Sequence, residues 1–285
     1  MLVRGTQVGA HVIVRRVAVG AFSDVYSGLH AVDGTQVAVK VLSASSCLHE
    51  ELVARFLNEG QSLRDLRHPG LVRALDLGLL PDGPPFIVLE WLPTDLEQAL
   101  ARAGGCLPVR TCAEVLGQVA AALDALHVHG LIHRDVKPAN ILVARLDAED
   151  VTVKLADLGL AKRVATGPEA PAALPVSTAG TAVLGSWDFM APEQWLDAKR
   201  VDARVDVYSL GVLGFQLLAG QLPFGGGTQK ELMIRHLRMP PPLHLLGDEV
   251  PASLRGLLGR MMAKAAGTRP PLMEVRECVA GLVFR

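Results

Sequence analysis

The spacing of apolar residues changes near residue 92, and this change limits the possible folds more than any other feature of the chain. Before it, short stretches such as 36–41 alternate between apolar and polar residues, as strands do, and only 50–66 has helical spacing. After it, helical spacing dominates, most clearly on a helix that we expect to end at Gly130. We therefore predict an α+β protein with two lobes, a strand-rich lobe with one main helix (1–92) and a mostly helical lobe (93–285).

Composition and spacing argue against several classes of protein. Half of the 285 residues are hydrophobic, and a net charge of −1 without a basic cluster argues against nucleic-acid binding. The four cysteines lack zinc-ligand spacing, which favours a reduced, cytoplasmic chain. The uncharged stretch Val207–Phe224 contains polar residues and glycines, so we interpret it as a buried helix rather than a membrane span. His127 and His129 are two positions apart and face different sides of a helix end, so we predict no metal site there.

The most specific pattern lies at residues 133–140, which read His-Arg-Asp-Val-Lys-Pro-Ala-Asn and precede Asp-Leu-Gly at 157–159. These residues resemble the catalytic loop and the metal-binding motif of protein kinases. Phosphoryl transfer from ATP needs an acceptor for a proton, a cation on the transferred phosphate and metal ligands. The resemblance implies that Asp135 is the base and that Lys137 contacts the γ-phosphate. It also implies that Asn140 and Asp157 bind Mg²⁺, with Mn²⁺ as an alternative.

Lys40 and Glu59 form a second candidate group. Lys40 ends the stretch Val-Ala-Val-Lys at 37–40, which resembles the strand that carries the ATP-binding lysine of kinases. Glu59 lies on the apolar face of the helix predicted at 50–66, where a carboxylate is costly unless it has a partner. We predict an ion pair between the two side chains, of the kind that holds the ATP phosphates in kinases. A solvated glutamate on a poorly amphipathic helix is the alternative.

The nucleotide pocket follows from the same resemblance. Of the glycines in the usual Gly-x-Gly-x-x-Gly loop only Gly20 remains, with Ala18 and Ser23 in the other two positions, so we expect weaker nucleotide binding than a complete loop gives. The resemblance implies that Leu89 is the gatekeeper. The remaining residues that it implies around ATP are Val17, Val25, Ala38, Glu90, Leu92 and Leu142.

The stretch Ala-Pro-Glu at 191–193 resembles the end of a kinase activation segment. The resemblance implies that Glu193 pairs with Arg269, and that Asp206 caps the backbone of the catalytic loop. It also implies that Arg134 binds a phosphorylated residue of a mobile loop at 166–181. The hydroxyl residues that it makes regulatory candidates are Ser177, Thr178, Thr181 and Ser186; for the first three, the alternative is a solvated loop residue.

The chain is thus identified as a member of the eukaryotic-like serine/threonine protein kinases of bacteria, which its Met-Ala-Pro-Glu-Gln ending at 190–194 most resembles. Lys137, two positions after Asp135, is typical of serine/threonine specificity in that family. The implied function is transfer of the γ-phosphate of ATP to protein hydroxyls, with activation by phosphorylation of the chain's own loop during transient self-association. The depleted glycine loop leaves a pseudokinase scaffold as one alternative. A small-molecule phosphotransferase is the other, but such enzymes lack the Ala-Pro-Glu ending.

Overall fold

The computed structural model describes residues 1–81, 83–147, 150–158, 162–163, 187–197 and 201–283. The chain divides into two compact units. The first consists of Met1–Pro93 together with Asp157 and Leu158, and the second of Thr94–Ala156 and the described residues from 162 onward. The first unit ends one residue beyond the predicted boundary and takes in Asp157 from a distant part of the chain.

An antiparallel sheet of six strands forms most of the first unit. The strands are β1 (Gln7–Val8), β2 (His11–Val19), β3 (Ser23–His30), β4 (Gln36–Leu42), β5 (Ala74–Leu79) and β6 (Pro85–Glu90), in the spatial order β1-β2-β3-β4-β6-β5. Alternation along β4 buries Val37, Val39 and Val41 in a core cluster with side chains of β3 and β6. Ala38 and Lys40 therefore lie on the opposite face of β4, as the sequence predicts.

Helix α1 (Glu50–Asp65) packs against this sheet at β5 and β6. The predicted end at Leu66 is one residue too late, because Leu66 has extended backbone angles; its N–H makes the last helical bond, to the carbonyl of Ser62. The helix approaches β6 closely at Gly60, where a Cβ atom would lie 3.0 Å from Cγ1 of Ile87. This close approach positions Glu59, the preceding residue, on the buried side of α1.

The second unit is mostly helical. Its helices are α2 (Leu96–Arg102), α3 (Val109–Val128), α4 (Pro192–Leu196), α5 (Arg204–Ala219), α6 (Gln229–Arg238), α7 (Ala252–Met261) and α8 (Leu272–Val283). Its short strands are β7 (Thr94–Asp95), β8 (Leu131–Ile132), β9 (Ile141–Leu146), β10 (Val151–Leu155) and β11 (Lys162–Arg163). They form one sheet in the order β10-β9-β7 and one pair, β11-β8. The predicted α+β class is confirmed.

Helix α5 passes through the core of the second unit. Thirteen of its sixteen residues are buried, and it packs against α3 and α7, which explains why its sequence is apolar on all sides. The predicted helix over 207–224 is too long at its end: α5 stops at Ala219 because Gly220 adopts a left-handed conformation, with φ of 68°, and its N–H donates to Gln216. Among the described residues, no helix is both long and apolar enough to cross a membrane.

Candidate active site

Lys40 lies between two carboxylates in the first unit. Its Nζ donates to Oε1 of Glu59 at 2.7 Å and to Oδ1 of Asp157 at 2.8 Å. The ion pair with Glu59 is the one that the sequence predicts, and the contact with Asp157, 117 positions away, is an addition that the sequence did not indicate. Because Glu59 is only 3% exposed and Lys40 12%, water contributes little to neutralising either charge.

The charges of this group depend on each other. Burial lowers the pKa of Lys40, but the carboxylates of Asp157 and Glu59 raise it further, so the pKa lies above its usual value and the side chain is charged. Burial also raises the pKa of Glu59, and Lys40 opposes that shift. The ammonium group is therefore what makes the burial of the Glu59 carboxylate tolerable, and it leaves a fixed positive charge beside Asp157.

In the second unit, a buried carboxylate holds the backbone of the loop 133–140. Asp206, on α5, is fully buried. Its Oδ2 accepts the N–H of His133 at 2.9 Å and its Oδ1 accepts the N–H of Arg134 at 2.8 Å, which are the contacts that the sequence predicts. Nε2 of His127 lies 2.7 Å from Oδ2 and supplies a third partner. This role of His127 could not be predicted from the sequence, because nothing in the spacing links it to a residue 79 positions later.

Two polar side chains of the loop, those of Lys137 and Asn140, converge on one carboxylate oxygen of Asp135. Oδ2 of Asp135 accepts from Nζ of Lys137 and from Nδ2 of Asn140, both at 2.8 Å. Nδ2 of Asn140 also donates to the carbonyl oxygen of Asp135 at 2.8 Å. Because Nδ2 makes both of these bonds, Oδ1 of Asn140 takes no part in them and can serve as a metal ligand. A carboxylate and an amide oxygen are ligands that Mg²⁺ prefers, so the types of Asp157 and Asn140 fit this ion.

Two residues near these groups have unusual backbone angles. Arg134 has φ of 69° and Asp157 has φ of 63°, and they are the only non-glycine residues with positive φ in the part of the chain that the structure describes. A left-handed conformation costs an ordinary residue about 1–2 kcal/mol, and such strain often occurs at functional sites. Both positions therefore need surrounding contacts to hold them.

The turn between β2 and β3 requires a glycine at only one position. The N–H of Gly20 donates to the carbonyl oxygen of Ser23 at 2.9 Å, and a Cβ atom at Gly20 would lie 2.8 Å from that oxygen. Ala18 instead pairs with Val25 across the two strands, where a side chain is accommodated. The single glycine that the sequence keeps in this loop is thus the one that the turn itself needs.

Most of the residues implied around the adenine base lie in the first unit, several of them on neighbouring strands. Ala38 of β4 pairs with Leu89 of β6. Glu90 is the next residue of β6, and its carboxylate accepts a hydrogen bond of 2.8 Å from the backbone N–H of Arg73. The other residues expected there are Val17 on β2 and Val25 on β3 in the first unit, Leu92 after β6, and Leu142 on β9 of the second unit.

The predicted pair at the end of the activation segment is present in the second unit. The Arg269 guanidinium binds Glu193 with two bonds, 2.5 Å to Oε1 and 2.8 Å to Oε2, and it also donates to the carbonyl oxygen of Arg204 at 2.9 Å. The side chain of Arg269 is completely buried. The predicted loop 166–181 and the hydroxyl residues Ser177, Thr178, Thr181 and Ser186 lie outside the described residues.

Comparison with known proteins gives a clear family match. The family described as "Protein kinase domain" matches residues 12–278, a range that includes Lys40, Glu59, Asp135 and Asp157. The predicted protein-kinase fold is therefore confirmed.

Several named bacterial proteins are similar to this chain. Serine/threonine-protein kinase Pkn1 of Myxococcus xanthus is 38% identical over 91% of the chain and 36% of its own length. Serine/threonine-protein kinase PknB of Mycolicibacterium smegmatis is 34% identical over 85% of the chain and 39% of its own length. For PknA of Corynebacterium glutamicum the values are 32%, 88% and 51%. The chain thus spans between about a third and about a half of these relatives.

Proposed function

The chain belongs to the protein kinase domain family, and from this membership we propose that it transfers the γ-phosphate of magnesium-bound ATP to serine and threonine hydroxyls of proteins. The observation that carries the proposal is the Asp135 carboxylate, which Lys137 and Asn140 hold by hydrogen bonds of 2.8 Å. A carboxylate in a fixed position can accept the proton of an incoming hydroxyl, and the neighbouring ammonium can bind the phosphate that is transferred.

In the proposed mechanism, each polar side chain has a separate task. Asp135 takes the hydroxyl proton, and Lys137 neutralises charge on the γ-phosphate as it moves. Lys40, held by Glu59, binds the phosphates that remain on the nucleotide. Asp157 and Asn140 would hold the metal ion, which supplies charge neutralisation when bound. The first unit would cover the nucleotide, and the second would carry the base and bind the protein substrate.

Regulation by the chain's own phosphorylation is part of the proposal. Arg134 precedes Asp135, and a cation there suits a phosphate on Ser177, Thr178 or Thr181. Ser186 lies five positions before the Ala-Pro-Glu ending, where serine/threonine kinases carry a hydroxyl residue. Transient association of two copies would allow one to phosphorylate the other, and a cytoplasmic location would supply the ATP. The relatives named above are all called serine/threonine-protein kinases, which supports serine and threonine as the residues that receive the phosphate.

The decisive experiment compares the wild type with Asp135→Asn in labelled Mg-ATP and a generic basic protein. Loss of the base should lower the rate by about 10²–10⁴-fold, and EDTA should abolish the reaction. Asp124→Asn is the matched control, because Asp124 lies on α3 and its side chain is 46% exposed. The wild type should also acquire phosphate between residues 166 and 186, detected by mass spectrometry, and Asp135→Asn should not.

Each alternative gives a different result in this experiment. Equal and negligible labelling by the wild type and Asp135→Asn would contradict the proposal and favour a scaffold, for which the depleted glycine loop is the one supporting feature. ATP consumption without phosphoserine or phosphothreonine in any protein would favour a small-molecule phosphotransferase. If the kinase is active and residues 166–186 remain unmodified, the proposal of activation by self-phosphorylation is wrong while the catalytic one stands.

A further inference from the structure

Gln194, on the short helix α4, connects two segments that are far apart in the sequence. Its Oε1 accepts the N–H of Ala191 at 2.9 Å, at the start of α4. Its Nε2 donates to the carbonyl oxygen of Arg134 at 3.3 Å, 60 positions earlier in the chain. Both halves of the side-chain amide are therefore engaged, one by the end of the activation segment and one by the catalytic loop.

The carbonyl that Gln194 binds belongs to the peptide group between Arg134 and Asp135. At the other end of the same planar group, the N–H of Asp135 donates to Nδ1 of His133 at 3.3 Å. The N–H of Arg134, one peptide earlier, donates to Asp206 at 2.8 Å. Because Arg134 has φ of 69°, its backbone leaves the ordinary regions just before the proposed base, and these bonds are what hold it there.

We propose that Gln194 is a positioning residue for the phosphoryl transfer. It fixes the orientation of the Arg134–Asp135 peptide and so the direction in which the Asp135 side chain leaves the backbone. It also makes the position of Asp135 depend on the Ala-Pro-Glu ending of the activation segment, to which its other bond is made. This inference rests on the proposed kinase function, since it concerns the residue that acts as the base.

The simpler interpretation is that Gln194 only caps α4, and two substitutions separate the two roles. Gln194→Glu keeps an oxygen for the N–H of Ala191 but loses the donor to Arg134. Gln194→Met loses both bonds at similar size. If the bond to Arg134 matters, kcat should fall about threefold to tenfold in both variants, as loss of one hydrogen bond implies, with a smaller change in the KM for ATP.

Gln118 on α3 offers a matched control within the same unit. Its Nε2 donates to the carbonyl of Val151 at 2.6 Å and its Oε1 accepts the N–H of Val153 at 3.0 Å, so it clamps β10 as Gln194 clamps the loop. Gln118→Glu and Gln118→Met should lower thermal stability while leaving kcat per folded molecule close to that of the wild type. A similar loss of kcat at both glutamines would mean general destabilisation and would overturn the proposal.

Amide hydrogen exchange gives a second readout that needs no activity. Exchange in the peptide 131–138 should accelerate in both Gln194 variants and stay unchanged in both Gln118 variants. If exchange and kcat are normal in Gln194→Glu, Gln194 only caps α4 and the positioning role is wrong. If Gln194→Glu alone is defective while Gln194→Met is normal, the defect is an effect of the added charge and the positioning role is also wrong. If the wild type transfers no phosphate, the kinase proposal fails, and exchange alone decides whether Gln194 holds the loop.

Discussion

Asp206 holds the start of the loop 133–140 through its buried carboxylate. A buried carboxylate is costly unless hydrogen bonds satisfy its oxygens, and here the backbone N–H groups of His133 and Arg134 and the ring of His127 do so. The carboxylate and the loop stabilise each other: Asp206 needs donors, and the left-handed Arg134 needs a fixed acceptor for its N–H. The sequence predicts the backbone contacts by resemblance and gives no sign of the histidine.

His236 leads to a prediction about pH. Its ring is completely buried on α6, with Nδ1 2.9 Å from the hydroxyl of Tyr208. Burial, and then the nearby charge of Lys264, lower its pKa from 6.5 to about 3. The unfolded chain therefore binds the proton first, so the stability that the neutral ring contributes is present above pH 6.5 and is lost as the pH falls from there towards 3.

His236→Gln should remove this dependence because glutamine does not titrate. Below pH 6.5, the wild type should lose up to about 1.4 kcal/mol per pH unit more than the variant in free energy of unfolding, measured by urea denaturation between pH 7 and 4. His244→Gln, at an exposed position, is the control and should follow the wild type. Parallel curves for the wild type and His236→Gln would show that His236 does not titrate differently on folding.

At the scale of elements, α5 shows how a helix that is apolar on all sides is accommodated in a core. It packs against α3 and α7, and α7 approaches it closely at two glycines. A Cβ atom at Gly211 would lie 2.8 Å from Cβ of Met261, and one at Gly214 would lie 2.7 Å from Cδ2 of Leu258. The sequence could identify the buried helix from its composition, but which of its faces packs where depends on these contacts.

Gly211→Ala and Gly256→Ala should change stability in opposite directions. Both positions are inside helices, where alanine is intrinsically better than glycine by roughly 0.5–1 kcal/mol. At Gly256 on α7 no atom beyond the adjoining residues and backbone of the helix itself lies within 4 Å of the added methyl group, so that substitution should raise the melting temperature. At Gly211 the methyl group must push α5 and α7 apart, at a cost of about 1–3 kcal/mol. A gain in stability at Gly211 in thermal unfolding would contradict this close packing.

The end of α5 explains one error in the prediction from sequence. The chain stays uncharged beyond Ala219 as far as Phe224, and composition alone suggests that the helix continues over the same range. The left-handed Gly220 stops it, with φ of 68°. Glycines also occur inside α5, so a glycine marks a helix end only when its backbone angles are known.

At the scale of the whole molecule, the fold class and the side chains of the candidate site could be predicted, and much of their arrangement could not. The pairs Lys40–Glu59 and Glu193–Arg269 could be predicted because a carboxylate on an apolar face or a familiar motif required a partner. The second partner of Lys40 and the bonds of Gln194 join residues whose local sequence carries no trace of the contact. Such long-range geometry arises from how the elements pack.

Arg269→Met tests how far one long-range pair supports the second unit. The variant leaves the carboxylate of Glu193 without its bidentate partner, and breaking a buried pair costs about 3–5 kcal/mol, somewhat less here because Glu193 is 25% exposed. Arg204→Met removes an exposed pair with Asp202 and should cost less than about 1 kcal/mol. Both are measured by chemical denaturation.

The two variants should also separate folding from catalysis. At low temperature, where Arg269→Met is still folded, its activity per folded molecule should be close to that of the wild type, even though its free energy of unfolding is much lower. A variant that is as stable as the wild type and yet inactive would instead give Arg269 a direct role in the reaction.

The Glu193–Arg269 pair also limits when native contacts can form while the chain is being synthesised. The two residues are 76 positions apart, and at a translation rate of about 5–20 residues per second the ribosome needs roughly 4–15 s to add the second after the first. During that interval Glu193 is present and its guanidinium partner is not, so water must hydrate the carboxylate. The nascent second unit therefore completes its native contacts around α4 only after Arg269 has been added.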